Sequence, residues 1–326
     1  MCAGTTVAAP GARPAEMSSA LPWFQVSEIE PGITLVGEPG FVFSWLVSGR
    51  DDQLLIDSGL GLADIRAAIA DVADEPLLVN SHAHFDHVGG NALFSRRAIH
   101  PLGAERLTHT GDPDAPWEYR AFDFGSKAAR DYATAMYKSW RALRKVDRPF
   151  HFVLGPEEQV RPWPSLPPGT VAPEPPPPTE LVGEGSVFDL GSRRLRVLHT
   201  PGHAAEHVCL LDEHDGILFA QDQAYYGPHY LCLSGSDVQA WVESVTRLAD
   251  ELIGAIRVVY TAHTLRYSAP PKLLRELAHA GECVLAGEMA LAPTEGPDGE
   301  AAVAADFGHF SILLPAAAPE RRDRIA

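Results

Sequence analysis

Short apolar runs, punctuated by Gly, Pro and Asp, fill the N-terminal third of the chain, and the same rhythm returns after residue 185. In the first group, Ile33–Val36, Phe41–Val47, Gln53–Asp57 and Leu77–Val79 have strand length and bulky side chains, so they predict β-strands. Between the last two, Leu62–Ala73 carries apolar residues at helical spacing and predicts an amphipathic helix. In the second group, strands are predicted at Ser186–Asp189, Arg194–Leu198, His207–Leu211, Ile217–Ala220 and Val258–Thr261, with a helix over Val238–Ile253. Two halves of similar pattern predict an α/β protein in which two sheets pack face to face.

The stretch joining the halves is longer than the remaining strands require, so an insertion is expected over about residues 104–180. A helix over Ala128–Arg144 is predicted there, because Ala129, Ala133, Met136, Trp140 and Leu143 fall on one face. That stripe is expected to pack on the body of the protein; the sharper alternative is a cap whose aromatic residues line a cleft. Nine prolines between Pro162 and Pro178 fix φ and remove amide donors, which predicts a stiff polyproline strap. From about residue 270 a helical extension is expected, with a helix over Lys272–Ala286, an apolar run at Phe310–Leu314 and a loosely ordered Ala/Pro-rich tail. Residues 1–20 are rich in Ala, Gly, Pro and Ser, are expected to be disordered, and lack the basic start and continuous apolar core of a secretory signal. Residues 21–326 are expected to form one domain around the two halves.

Composition narrows the function. With 45% hydrophobic residues among 326, the chain can bury a substantial core. A net charge of −17 argues against nucleic acid as a partner, since such binders need basic surface to release counterions. Four scattered cysteines (Cys2, Cys209, Cys232, Cys283) form no Cys-x-x-Cys pair, and no apolar stretch reaches membrane-span length. A cytoplasmic protein with no membrane partner is therefore expected; its oligomeric state stays open.

The chemistry is concentrated in Ser81–Gly90, which reads Ser-His-Ala-His-Phe-Asp-His-Val-Gly-Gly directly after the Leu77–Val79 run. Single loop histidines are usually polar filler. Four imidazole and carboxylate ligands at this density, where a strand gives way to a loop and side chains can converge, point to a metal. The pattern His-x-His-x-Asp-His resembles the signature of the metallo-β-lactamase superfamily. Further segments resemble that family in the expected order: Asp57-Ser58-Gly59 ending a strand, Thr200-Pro201-Gly202-His203 after another, Gln221-Asp222 after Ile217–Ala220, and His263 after Val258–Thr261. Three stretches beside the ligands depart from the family pattern: Gln221 stands where Gly is frequent, Thr261-Ala262 replaces Pro-Gly before His263, and Ala204-Ala205-Glu206-His207 follows His203 in place of a turn with a second Gly.

What the resemblance implies is specific. The fold would be an αββα four-layer sandwich with metals at the edge between the sheets. His82, His84 and His203 would hold one divalent ion, Asp86, His87 and His263 the other, and Asp222 would bridge them, with Asp57 supporting from behind. Zinc is the first expectation, iron or manganese the alternatives. The implied activity is hydrolysis of ester, thioester or lactone carbonyls in a small-molecule acyl substrate by a metal-bridged hydroxide, with Asp86 orienting the nucleophile and β-lactams possible substrates. Tyr225, three residues after Asp222, resembles a phenol that assists the carbonyl in lactonases of the family, and His229 and Tyr230 are looser candidates for the rim. The alternative from another reaction class is a mononuclear iron persulfide dioxygenase, which shares the His-x-His, a later His and an Asp.

Overall fold

A computed structural model describes residues 23–38, 42–109, 112, 114–119, 122–127, 129–131, 134, 166–264 and 266–316. Strands β1 (Gln25–Glu30), β2 (Ile33–Glu38), β3 (Val42–Ser48), β4 (Gln53–Ile56), β5 (Leu77–Val79), β6 (Arg97–Ile99) and β7 (Glu180–Leu181) lie side by side in chain order. The first four pair antiparallel, and β4 through β7 run parallel. A second sheet is built from β8 (Val187–Asp189), β9 (Arg194–His199), β10 (Val208–Asp212), β11 (Ile217–Gln221), β13 (Val258–Thr261) and β14 (Ser268–Ala269), in the order β14-β13-β11-β10-β9-β8. The remaining strand of this region, β12 (Pro228–Tyr230), belongs to a third sheet with β15 (Ala292–Glu295), β16 (Ala301–Asp306) and β17 (Ser311–Pro315).

Why the first two sheets stack is visible in their alternation. Along β3, Phe43, Trp45 and Val47 face the second sheet, while Leu46 points the other way; along β11, Ile217 and Phe219 face inward, and Leu218 and Ala220 outward. Both faces are apolar, so each sheet must be covered twice. The shared interior also takes Leu54, Ile56, Val79, Val197 and Leu210. Ile65, Ile69 and Ala73 cover the outer face of the first sheet. The helices Val238–Arg247 and Lys272–Leu285 cover the outer face of the second, through Trp241, Val245, Leu273 and Leu277. Four layers result, as the resemblance implied.

Several elements differ from the sequence expectation. The first helix is one turn, Ile65–Ala68, not Leu62–Ala73: Asp64 caps it by accepting from Ala67 N at 2.8 Å, and i→i+3 bonds from Ile69 and Ala70 tighten and end it. The helix expected over Val238–Ile253 is α-helical only to Arg247, then passes through a π-helical turn, Leu248–Leu252, and a 3-10 turn, Ile253–Ala255. After the Lys272–Leu285 helix the chain forms β15, β16 and β17, and the Phe310–Leu314 run lies largely within β17, which pairs parallel with β12. The Ala128–Arg144 helix lies mostly outside the described residues, as do residues 1–20. Within the described part of the proline strap, Pro177 O accepts from Arg97 Nε at 3.1 Å and Nη2 at 2.9 Å, fastening it beside β6.

The two main sheets touch where strands end. Val208 N donates to Ser81 O at 2.9 Å, Phe43 N to Ala262 O at 2.8 Å, and Val42 bridges His263. Trp45 secures the same seam: it is fully buried, stacks on Tyr260 with centroids 4.3 Å apart, and donates Nε1–H to Thr261 O at 2.9 Å. Trp45→Ala is expected to cost about 3–5 kcal/mol, from the cavity and the orphaned carbonyl. Urea unfolding would measure it, and a loss below about 1 kcal/mol would show that the seam does not depend on this ring.

Candidate metal centre

Every expected ligand leaves the end of a strand. Asp57 follows β4; His82 and His84 follow β5, with Asp86 and His87 on the single helical turn Phe85–Val88; His203 comes after β9, Asp222 after β11 and His263 after β13. Three of these exits need a backbone that L-residues seldom adopt. Asp57 (φ +61°), Gln221 (φ +46°) and Thr264 (φ +72°) are the non-glycine residues with left-handed backbone among those described, and all three flank the centre. Such geometry is held by surrounding contacts and tends to mark sites where side chains must be aimed. Gly202 has a packing reason besides its φ of +142°, because a Cβ there would sit 2.2 Å from Trp241 Cα.

The structure brings all seven residues together. His84 Nδ1 lies 3.1 Å from His203 Nε2; Asp222 Oδ2 lies 3.3 Å from His203 Nε2 and 3.1 Å from His263 Nε2, and its Oδ1 lies 3.3 Å from His87 Nε2. Asp86 reaches His87 at 3.7 Å and His263 at 3.6 Å. Among the described residues, three groups offer donor atoms within 4.8 Å of one another: His82, His84 and His203; His82, His87 and Asp222; Asp86, His87 and His263. Within the cluster, His82 Nε2 is buried without a hydrogen-bond partner, and Asp222 Oδ1, 3.3 Å from His87 Nε2, accepts no hydrogen bond either. Lone pairs withheld from both water and protein are costly unless a cation receives them, so the donor set fits divalent ions.

Charge supports the same fit. Burial, reinforced by the neighbouring imidazoles, pushes His82 and His84 well below the usual histidine range and keeps them neutral, the form that binds metal. At His87, burial opposes charge, but Asp222, Asp86 and Asp57 outweigh it and lift the imidazole to about 10. Asp222 is held well below the carboxylate range, since His263 and His87 overcome its burial.

Behind His87 stands Asp57, fully buried. Its carboxylate accepts from Ser81 N (2.7 Å), Ser81 Oγ (2.8 Å) and Gln221 Nε2 (2.6 Å), and meets His87 Nδ1 at 2.8 Å, which directs Nε2 toward Asp222. Asn80 Nδ2 donates to His87 O at 3.0 Å and fixes the turn from below.

Comparison with known proteins decides the family. The profile of the metallo-beta-lactamase superfamily matches residues 37–263. The chain belongs to this superfamily. Among curated relatives of this metallo-β-lactamase chain, the acyl-coenzyme A thioesterase MBLAC2 of Gallus gallus is 32% identical over 77% of this chain and 84% of its own. The Homo sapiens protein of that name is 31% identical over 77% and 85%. Solved structures show the fold alone: the sec-alkylsulfatase Pisa1 from Pseudomonas sp. superposes with a TM-score of 0.56 at 14% identity, covering 81% of this chain and 42% of that one. The DIM-1 metallo-beta-lactamase gives 0.51 at 11% identity, covering 82% and 100%.

On this metallo-β-lactamase scaffold the cleft above the donors is walled by Phe85, Trp117, Tyr225, Pro228, Tyr230, Leu233 and Pro297. Trp117 comes from the insertion and meets Phe85 edge-on at 5.2 Å. Tyr225 stands in the wall as expected, but its hydroxyl donates to Pro228 O, because the tight turn brings that carbonyl within reach. His229 is not on the rim: it is buried behind Tyr225, stacked on its ring at 4.3 Å, with Nε2 against Tyr225 O at 3.0 Å. One buried carboxylate stands behind the metal loop without having been predicted as part of the site. Glu206, fully buried, accepts from Ala83 N at 3.2 Å and reaches Tyr119 Oη at 3.5 Å, while the Tyr119 ring meets His84 edge-on at 5.1 Å. The signal was the departure itself, a carboxylate in a turn where the family favours Gly.

Asp57→Asn keeps the shape of the hub but removes its charge and turns a donor toward donors. Metal affinity is expected to fall roughly 10–100-fold, measured by competition with a chromophoric chelator. Unchanged affinity would mean that the hub does not orient His87.

Proposed function

We propose that this chain is a metal-dependent thioester hydrolase acting on acyl-coenzyme A. The observation that carries this reading is the conjunction of an assembled seven-donor centre with curated relatives of that name along most of their length. His82, His84 and His203 would hold one ion and Asp86, His87 and His263 the other, with Asp222 between them. Bound there, divalent ions supply Lewis acidity toward a carbonyl oxygen and lower the pKa of water to near neutrality. The chain's own residues do the rest. Asp86, between His87 and His263, is placed to orient attacking water and hold its proton. Asp57 keeps His87 in one tautomer. Phe85, Trp117 and Leu233 offer an apolar wall to the acyl chain and exclude bulk water. Tyr225 would assist the carbonyl by exchanging its bond to Pro228 O for one to substrate.

Two ions are favoured over the single iron of a persulfide dioxygenase because Asp86, His87 and His263 form a second complete group, and Asp222 contacts histidines of both. Zinc suits the mixed imidazole and carboxylate donors. A cytoplasmic location agrees with free thiols at Cys209, Cys232 and Cys283. Among the described residues no helix is long and apolar enough to cross a membrane. Ester and lactone carbonyls could undergo the same attack; the relatives favour the thioester.

Metal-replete protein is expected to release thiol from a panel of acyl-CoA esters of graded chain length. Dialysis against a strong chelator should abolish release, and His84→Ala should lower kcat/KM more than roughly a hundredfold, beyond what loss of an outer-shell partner costs. A protein carrying its full metal complement yet inert across the panel would overturn the proposal.

A further inference from the structure

Beyond the wall that carries Tyr225 opens a second, larger cavity of about 630 Å³, to which no role has been given so far. It shares its partition with the catalytic cleft. Tyr225 lines the cleft and Tyr226 the groove; Thr264 lines the cleft and Arg266 the groove; and Thr264 Oγ1 donates to Tyr226 O at 2.8 Å, tying the two segments together. Arg266 follows His263 by three residues, so their Cα atoms lie at most about 11 Å apart.

The groove's chemistry is unusual for a chain of net charge −17. Arg266 and Lys272 face it against one acid, Glu276, and His279 and His309 add imidazole donors. The Arg266 guanidinium lies 4.2 Å from the Tyr226 ring centroid, which fixes the orientation of its planar fork beside the groove. Lys272 meets Glu276 at 3.0 Å, but its side chain is 69% exposed, and such a pair is weak enough to exchange for a phosphate. One turn of the β16–β17 connection supplies an aromatic face: half-buried Phe307 is backed by buried Phe310 with ring centroids 5.2 Å apart, and His309 stands edge-on to Tyr226 at 6.2 Å. Cations beside stacking faces, a short way from a reacting centre, are the requirements of a phosphorylated nucleoside.

We propose that this groove binds the nucleotide end of the acyl-coenzyme A substrate, Arg266 and Lys272 taking its phosphates and the Phe307–Phe310 surface its base. The pantetheine arm then crosses the Tyr225–Thr264 partition and delivers the thioester to the cleft. This assignment rests on the thioester-hydrolase reading and adds the residues that select the carrier. It also gives a chain of net charge −17 a local patch of cations to which a polyanion can be drawn.

The test compares one acyl group on two carriers, coenzyme A and pantetheine, with the holoenzyme, Arg266→Gln and the surface variant Lys272→Glu. Wild type should favour the coenzyme A ester, and the ratio of kcat/KM for the two carriers should fall roughly tenfold or more in each variant, through KM. Adenosine 3′,5′-bisphosphate alone should bind wild type in calorimetry and bind Lys272→Glu more weakly by a similar factor. A carrier ratio that stays the same in both variants, or no bisphosphate binding to wild type, would overturn the groove assignment while leaving thioester hydrolysis standing. Should neither ester be hydrolysed, the hydrolase reading is what fails, and the bisphosphate titration still decides the groove.

Discussion

Four contacts converge on one carboxylate that has no access to water. Asp57 receives Ser81 through backbone and side chain, Gln221 from the second sheet, and the His87 ring. A buried charge is tolerable only when it is saturated in this way, so the ends of β4, β5 and β11 are held in a single arrangement. The left-handed backbone at Asp57 and Gln221 is the cost of that convergence, and hydrogen bonds made by those same side chains offset it. Gln221 thereby explains a departure from its family: glycine would adopt φ +46° with less strain but could not reach Asp57.

From this hub the division of labour in the molecule follows. A stiff interior of Trp45, Phe219, Tyr260 and the aliphatic residues around them supports the strand ends, which carry every donor. The cleft walls, in contrast, come from connections. Phe85 begins the helical turn of the metal loop, Trp117 belongs to the insertion, and Tyr230 lies on β12, whose register is set by β17 from the far end of the described chain. Donors on a rigid frame and selectivity on loops is an arrangement that lets one chemistry serve many substrates. The third sheet, by clamping β12, couples the C-terminal segment to the cleft wall and to the groove beside it.

Much of this was readable from the chain. Strands that are buried on both faces, such as β3, β5 and β11, are continuous apolar runs and were placed within a residue or two. The density of the metal loop singles out His82, His84, Asp86 and His87, whereas His203, Asp222 and His263 follow from the resemblance to the superfamily; the structure brings the seven side chains together. Strands β6, β7, β12 and β14 are not legible, since each has only two or three residues and none is a continuous run of bulky aliphatic residues like β5, so they owe their existence to partners. β1 is half exposed, β16 is mostly Ala, and β15 carries a Pro and a Glu, so tertiary pairing overrides weak local preference. His229 and Glu206 show the other limit. Whether a histidine or a carboxylate faces a cleft or a core depends on turns whose direction spacing does not encode, and the strain at Gln221 is invisible until φ is known.

The central claim is that two divalent ions sit between the sheets, one among His82, His84 and His203 and one among Asp86, His87 and His263. Its most direct test is elemental analysis of the protein as isolated, paired with anomalous diffraction at the absorption edge of the metal found. Two ions per chain, with two peaks flanking Asp222, are expected. A single peak, or side chains turned apart around ordinary water, would contradict the account.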